Sequence, residues 1–233
     1  MEIIMNEQKP EKKNHRPDGI LEVHSIFYTI QGEGPFAGER AVFIRLAGCN
    51  LMCKFCDTDY TSTRYPMHPE TIRSLVEEQA KPSEGHLVVI TGGEPMRQNL
   101  GPLLELLSGA YRIQIETNGT IYQDVPYGVT VICSPKTNML AHNMAGRVDV
   151  FKYVLDRTSL SKKDGLPLTA LGHSAKRGLA RPPFFFPNED IYLQPIDVQD
   201  VEENKKHLAA VAKSVMDHGY KLGVQLHKLL EME

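Results

Sequence analysis

The 233-residue chain predicts an α/β fold on a mainly parallel sheet. Its strand-like segments are short, continuous apolar runs, the pattern of strands covered on both faces. Helical or looped segments separate those runs, as parallel crossovers require. The length exceeds one minimal domain and falls short of two full ones, so a single domain is expected.

The elements follow in order. Residues 1–20 are polar and read as a mobile N-terminal extension. LEVHSIFYTI, from Leu21, is strand-like, and Gly32, Gly34 and Pro35 then punctuate a turn. AVFIRLAG (41–48) is a second apolar run that ends at the first cysteine. HPETIRSLVEEQAK (68–81) reads as a helix, with Pro69 in its first turn and Ile72, Leu75 and Val76 on one face. HLVVI (86–90) is a buried-type strand running into the turn TGGEP, and NLGPLLELLSGA (99–110) is a short helix. RIQIE, VTVICSP, VDVFKYVLD and IYLQPI are further strands. VEENKKHLAAVAKSVMDHGY is a long amphipathic helix closed by Gly219, and KLGVQLHKLL ends in a last strand or turn. Residues 157–190 form an irregular insertion. Its Phe184–Phe186 triplet reads as packing beneath the core, with a subunit contact as the alternative.

Composition excludes several classes. Hydrophobic residues make up 41% and charged residues 24%, which rules out a wholly disordered chain. Net charge is −3, from 26 Lys+Arg against 29 Asp+Glu, so the chain is no general polycation for nucleic acid. There is no tryptophan and no basic stripe interleaved with aromatics. No apolar run approaches the roughly 18 residues a membrane span needs. The first twenty residues hold no extended apolar core, so a cytoplasmic location is expected.

The chemistry lies in the cysteines. Three of the four, Cys49, Cys53 and Cys56, stand as C-x3-C-x2-C, and Cys133 is distant. Such a cluster does not look like a secreted disulfide framework and reads as a metal site. Zinc modules usually offer four ligands, which His68 could complete. Three thiolates suit a four-iron cluster that keeps one iron open for a ligand that reacts. Cys133 sits in the apolar run VTVIC and reads as a small buried hydrophobe, with a fourth ligand as the alternative.

C-x3-C-x2-C with Phe55 before its last cysteine, followed by a strand and the G-G-E-P turn, resembles the signature of radical S-adenosylmethionine (SAM) enzymes. TIQGEGPFAG (29–38), FIRLAGCN, CDT (56–58), IETNGT, SPK and QLHK narrow the resemblance to the 7-carboxy-7-deazaguanine synthases, from about residue 21 to the C-terminus. The resemblance implies a shortened, incomplete (β/α) barrel, usually dimeric, holding a [4Fe-4S] cluster, SAM and Mg2+. It implies a radical ring contraction of 6-carboxy-5,6,7,8-tetrahydropterin to 7-carboxy-7-deazaguanine, with loss of ammonia, and a flavodoxin-type electron donor.

Residue roles carry over by position. Cys49, Cys53 and Cys56 would ligate the cluster, and thiolates are soft donors suited to iron. Thr58 would ligate Mg2+, a hard cation that prefers oxygen. Phe55, Gly92, Gly93, Glu94, Ser134, Pro135 and Lys136 would surround SAM. Ile30, Gln31, Gly32, Glu33, Thr91, Glu116 and His227 would surround the substrate. Arg45, an arginine within an apolar strand that needs a partner, would take the substrate carboxylate in its guanidinium fork. Most of these positions follow predicted strands, and parallel α/β folds collect their sites at the carboxyl ends of strands. Two other classes compete. A glycyl-radical activase would leave QGEG, CDT and Arg45 without a role. A zinc module would carry no iron–sulfur chromophore.

Overall fold

A computed structural model describes residues 6–80, 86–174 and 178–232. Residues 1–5 of the predicted extension, Lys81 at the end of the predicted helix, and 175–177 of the insertion lie outside the described residues. The chain begins with β1 (Leu21–Ile30), β2 (Arg40–Leu46) and the short β3 (Tyr65–Met67), followed by α1 (Pro69–Ala80) and β4 (Leu87–Gly92). Next come α2 (Gly101–Leu107), β5 (Arg112–Thr117), β6 (Val129–Cys133) and β7 (Val150–Leu155). A small pair, β8 (Thr169–Ala170) and β9 (His173–Ser174), precedes β10 (Ile191–Pro195). The chain closes with α3 (Val201–His218), β11 (Lys221–Leu222) and α4 (Leu226–Leu229).

Nine strands form one open sheet in the order β11-β10-β7-β6-β5-β4-β2-β1-β3. From β2 to β11 every neighbouring pair is parallel, whereas β1 pairs antiparallel with both β2 and β3. The sheet is therefore an unclosed α/β half-barrel with an antiparallel edge. Hydropathy located β1 but not its direction, because strand periodicity is the same read either way.

Most strands are buried on both faces, and membership of the apolar clusters follows their two-residue alternation. Ile44, Ile90, Ile115, Val131, Phe151 and Leu193 belong to one buried apolar cluster. Ile72 and Val76 of α1 pack into it at 0% exposure, and burying each such side chain contributes roughly 1.5–3 kcal/mol. On the alternate positions, toward the carboxyl ends, stand Arg45, Thr91, Glu116, Lys152 and Gln194. Helix α3 begins at Asp200, whose carboxylate accepts from the Glu202 and Glu203 amides, and ends at Gly219 in the left-handed region (φ 74°).

Three segments show detail beyond the sequence reading. Residues 6–20 run against the domain: Glu11 N donates to the Cys49 carbonyl at 2.7 Å, and Asn14 bridges to Gln98. The insertion is partly regular. Its β8–β9 hairpin is antiparallel, and Arg181 holds its base through Asp164 (2.9 Å) and the Pro167 carbonyl (2.8 Å). The phenylalanine triplet divides: Phe186 stacks edge-on against Phe151 at 4.9 Å, while Phe184 and Phe185 are exposed. Among the described residues no helix is long and apolar enough to cross a membrane.

Candidate active site

The loop after β2 carries the cysteines. Gly48 opens it with φ 81°, and a Cβ there would lie 2.3 Å from the Arg97 guanidinium. The loop folds on itself through the bonds Gly48 N to Tyr60 O (2.9 Å) and Cys56 N to Cys53 O (3.2 Å). Cys49, Cys53 and Cys56 line a common cavity of about 190 Å³. Burial pushes the Cys49 thiol up to about 12 and Cys53 up to about 11, and it raises Cys56 as well. Thiols in such a place give up their protons to a metal's charge. Among the described residues, no three His, Cys, Asp or Glu side chains are placed to hold one metal ion. A zinc site would need that convergence. The three thiols line one shared space, which suits a cluster whose thiolates each take a different iron.

The turn after β4 closes one wall of this cavity. A Cβ on Gly92 (φ 141°) would lie 2.1 Å from the Leu46 carbonyl, and one on Gly93 would lie 2.4 Å from the Gly48 carbonyl and 2.6 Å from Cys49 Cβ. Only glycine permits that approach of the turn to the cysteine loop. Ser134 and Lys136 line the same cavity. Burial lowers the Lys136 pKa, and its ammonium donates to the Ser134 carbonyl (2.8 Å) and hydroxyl (2.5 Å).

Three expected contacts are not made at this cavity. Pro135 is buried and lines neither main cavity. Phe55 points to a smaller cleft under the β8–β9 tip, where its amide donates to the Leu171 carbonyl at 3.3 Å. Glu94 is turned inward with 0% exposure, accepting from Met96 N (2.9 Å), Thr117 Oγ1 (2.8 Å) and Asn118 N (2.7 Å). Burial lifts its carboxyl to about 7 against those donors. Its lone pairs serve the two turns after β4 and β5, so it braces the cavity wall instead of lining it.

A second cavity of about 510 Å³ adjoins the first. It is lined by Ile30, Gln31, Gly32, Glu33, Arg45, Thr91, Glu116 and His227, together with Thr58. The two cavities share Thr58, Thr91, Glu33, Glu116 and Lys152 as their common wall. Arg45 lies over the Phe27 ring at 5.0 Å, and both side chains line the cavity. Beside Thr58 stands Asp57, whose Oδ2 accepts from Lys228 at 3.0 Å.

Lys152, which the sequence reading missed, organises the floor. Its ammonium donates to Glu33 at 2.6 Å and Glu116 at 2.7 Å. Burial opposes its charge, yet the two carboxylates raise its pKa. Burial likewise works against the Glu33 carboxylate, but Lys152 and Gln225 hold its pKa down at about 2. Gln194 and Gln225 also donate to Glu33 Oε1, at 3.0 and 2.9 Å. The signal for Lys152 was present in VFKYVL, because a lysine inside an apolar strand needs a partner just as Arg45 does.

The C-terminal segment covers this cavity. Leu226 N donates to the Gly32 carbonyl at 3.1 Å, and a Cβ on Gly32 would lie 2.1 Å from His227 Nδ1. His227 is therefore a wall of the site and not a loose terminal residue, and burial lowers its pKa. Lys228 ties the segment to Asp57 and Asp197, at 3.0 Å each.

Comparisons with known proteins give the family. Residues 43–126 match the model of the radical SAM superfamily. A 7-carboxy-7-deazaguanine synthase of Rhodospirillum rubrum is 41% identical over 222 residues, covering 91% of this chain and 92% of the relative. The synthase of the same name from Rickettsia prowazekii is 35% identical, covering 91% and 89%. The crystal structure of QueE from Escherichia coli shares the fold, with a TM-score of 0.64 at 23% identity over 88% of this chain and 94% of that one. The chain belongs to the 7-carboxy-7-deazaguanine synthase family of radical SAM enzymes.

Proposed function

We infer that this chain converts 6-carboxy-5,6,7,8-tetrahydropterin to 7-carboxy-7-deazaguanine, as a radical SAM lyase. The observation that carries the reading is the pair of adjoining cavities, one lined by three thiols and the other by fixed charges, with a common wall. A volume of about 510 Å³ suits a small molecule such as a pterin. A glycyl-radical activase, which must admit a protein segment, has no use for a buried floor of Glu33, Lys152 and Glu116.

Residue roles are assigned as follows. Cys49, Cys53 and Cys56 hold the [4Fe-4S] cluster, and Gly92, Gly93, Ser134 and Lys136 border the space for SAM. When bound and reduced, the cluster and SAM together supply a 5′-deoxyadenosyl radical. Arg45 receives the substrate carboxylate in a planar fork. Glu33, held ionised, accepts from the N–H groups of the pterin, and the Gln31 amide and Glu116 orient the same ring. Thr91, on the common wall, sets the ring against the SAM side. His227 and the C-terminal segment exclude water above it. Thr58 Oγ1, with Asp57 beside it, offers hard oxygen donors to Mg2+, which would leave coordination positions for the substrate carboxylate.

The exposed Phe184 and Phe185 support a homodimer, and exposed Met52 and Phe55 on the cysteine loop support docking of a flavodoxin-type donor in the cytoplasm. The direct test is anaerobic turnover of the cluster-loaded chain with reductant, SAM and 6-carboxytetrahydropterin, with and without Mg2+. Mg2+-stimulated 7-carboxy-7-deazaguanine supports the reading. Release of 5′-deoxyadenosine with no deazaguanine overturns the substrate assignment.

A further inference from the structure

We propose that residues 6–14 form a strap that positions the cysteine loop from outside, and that Gln8 is the positioning residue for the Thr58–Thr61 segment. The part concerning Thr58 rests on its reading as the Mg2+ ligand.

The strap reaches the loop through its peptide groups. Asn6 N donates to the Lys54 carbonyl (2.9 Å) and Asn6 Nδ2 to the Cys53 carbonyl (2.9 Å), while Glu11 N donates to the Cys49 carbonyl (2.7 Å). Gln8 makes the most specific contact. Its Nε2 donates to the Thr58 carbonyl at 2.9 Å, and its Oε1 accepts from Tyr60 N and Thr61 Oγ1, both at 2.9 Å. One planar amide thus bridges the Thr58 carbonyl, the Tyr60 amide and the Thr61 hydroxyl. Asn6 Oδ1 holds that amide in turn, accepting from Gln8 N (2.9 Å) and Nε2 (3.0 Å).

The loop needs such partners. It is short and irregular, and its carbonyls have few acceptable donors within the loop itself. Buried or half-buried backbone groups are costly to leave unpaired. The strap is itself anchored. Glu11 pairs with Arg97, which is 1% exposed, at 2.6 Å and with Arg64 at 2.5 Å. The Arg64 hydrogen bond, with the Arg97 charge, lowers the Glu11 pKa despite its partial burial. Arg97 Nη1 also donates to the Lys12 carbonyl (3.2 Å), and Asn14 N donates to the Arg97 carbonyl (2.7 Å). Arg97 lies against Gly48, where the cysteine loop starts, so anchor and loop share one wall. None of the strap side chains from Asn6 to Asn14 lines either main cavity, so its action on the reaction is through the loop.

The test uses the full-length, cluster-loaded protein and the variants Gln8→Ala and Gln8→Glu. Deuterium uptake is read on peptides covering 56–62, and Mg2+ dependence on steady-state turnover. For Gln8→Ala, loss of the amide's bonds should speed exchange at these peptides roughly tenfold. The Mg2+ concentration for half-maximal turnover should rise severalfold, while kcat at saturating Mg2+ and the thermal midpoint stay near the parent. Gln8→Glu keeps the acceptor for Tyr60 N and loses the donor to Thr58, so its exchange should fall between parent and Gln8→Ala. Unchanged uptake at 56–62 in Gln8→Ala overturns the strap. A fall in kcat at saturating Mg2+ with half-saturation unmoved overturns the positioning role at Thr58. A parent enzyme whose turnover ignores Mg2+ would instead refute the ligand reading of Thr58, and faster uptake in Gln8→Ala would still uphold the strap.

Discussion

Replacing Lys152 with methionine tests the charged floor of the large cavity. Methionine keeps most of the side-chain length and removes the ammonium that lies 2.6 Å from Glu33 and 2.7 Å from Glu116. Two carboxylates then face one another at a site where Lys152 is about 8% exposed. Removing one partner of a buried ion pair costs about 3–5 kcal/mol, because the remaining charge has lost its compensation. For a chain of this size each kcal/mol is worth about 2–4 °C, so the melting midpoint should fall by roughly 6–20 °C. The pH dependence gives an independent sign. In the parent, Glu33 is held at about 2, below its ordinary value of 4.5, so its stabilisation is complete above that ordinary value and is lost progressively as pH falls from there through about 2. In Lys152→Met, burial without the cation raises the carboxyl pKa instead. The folded variant then binds a proton more tightly than the unfolded chain, and its deficit shrinks on acidification. Thermal melts followed by circular dichroism at pH 8 and pH 5 read both effects. A midpoint at pH 8 within about 2 °C of the parent, where roughly 6–20 °C is expected, would refute the ion triad as the organiser of this floor. A deficit that widens at pH 5 would refute the sign.

Further predictions concern the walls. Arg45→Lys keeps the charge but loses the fork and the stacking over Phe27. Charge-assisted hydrogen bonds are worth about 1.5–3 kcal/mol, so KM for the carboxylated substrate should rise about 10–150-fold, measured by steady-state kinetics. Cys53→Ala should abolish the iron–sulfur absorbance after reconstitution, whereas Cys133→Ala should retain it at a stability cost of about 0.5–3 kcal/mol. Cys133 has 0% exposure and its Sγ packs against Gly119, away from the thiol-lined cavity. Iron content of the two variants decides between a three-cysteine and a four-cysteine ligand set. Gly32→Ala would place a Cβ 2.1 Å from His227 Nδ1 and 2.9 Å from the His227 backbone nitrogen. The C-terminal segment should be displaced, seen as faster proteolysis within 225–232 and a raised KM. Unchanged cleavage would show that His227 yields without opening the site.

The strand pattern was legible because apolar runs such as HLVVI have few other ways to be buried, and the open sheet follows their order. The large cavity was legible for a related reason. All eight residues expected around the substrate line it. Arg45, Thr91 and Glu116 stand at the carboxyl ends of parallel strands, whereas the end of the antiparallel β1, the turn after it and helix α4 bring in the other five. Glu94 and Phe55 illustrate the limit. A motif identifies a turn, but whether a turn side chain faces the cavity depends on which donors the neighbouring turn offers. Thr117 and Asn118 claim the Glu94 carboxylate, and the Leu171 hairpin claims Phe55.

Residues 6–20 show a different kind of limit. Their composition carries too little apolar surface to offset the entropy of ordering, so burial arithmetic predicts mobility. What orders them is hydrogen bonding to carbonyls that the cysteine loop leaves exposed, plus one carboxylate shared by Arg64 and Arg97. Neither partner is visible from the segment itself, since both lie more than 40 positions away in sequence. A polar segment flanking a metal loop is therefore poorly judged by hydropathy. The loop must pair its backbone somewhere, and here Gln8 and Asn6 provide the amides that do it.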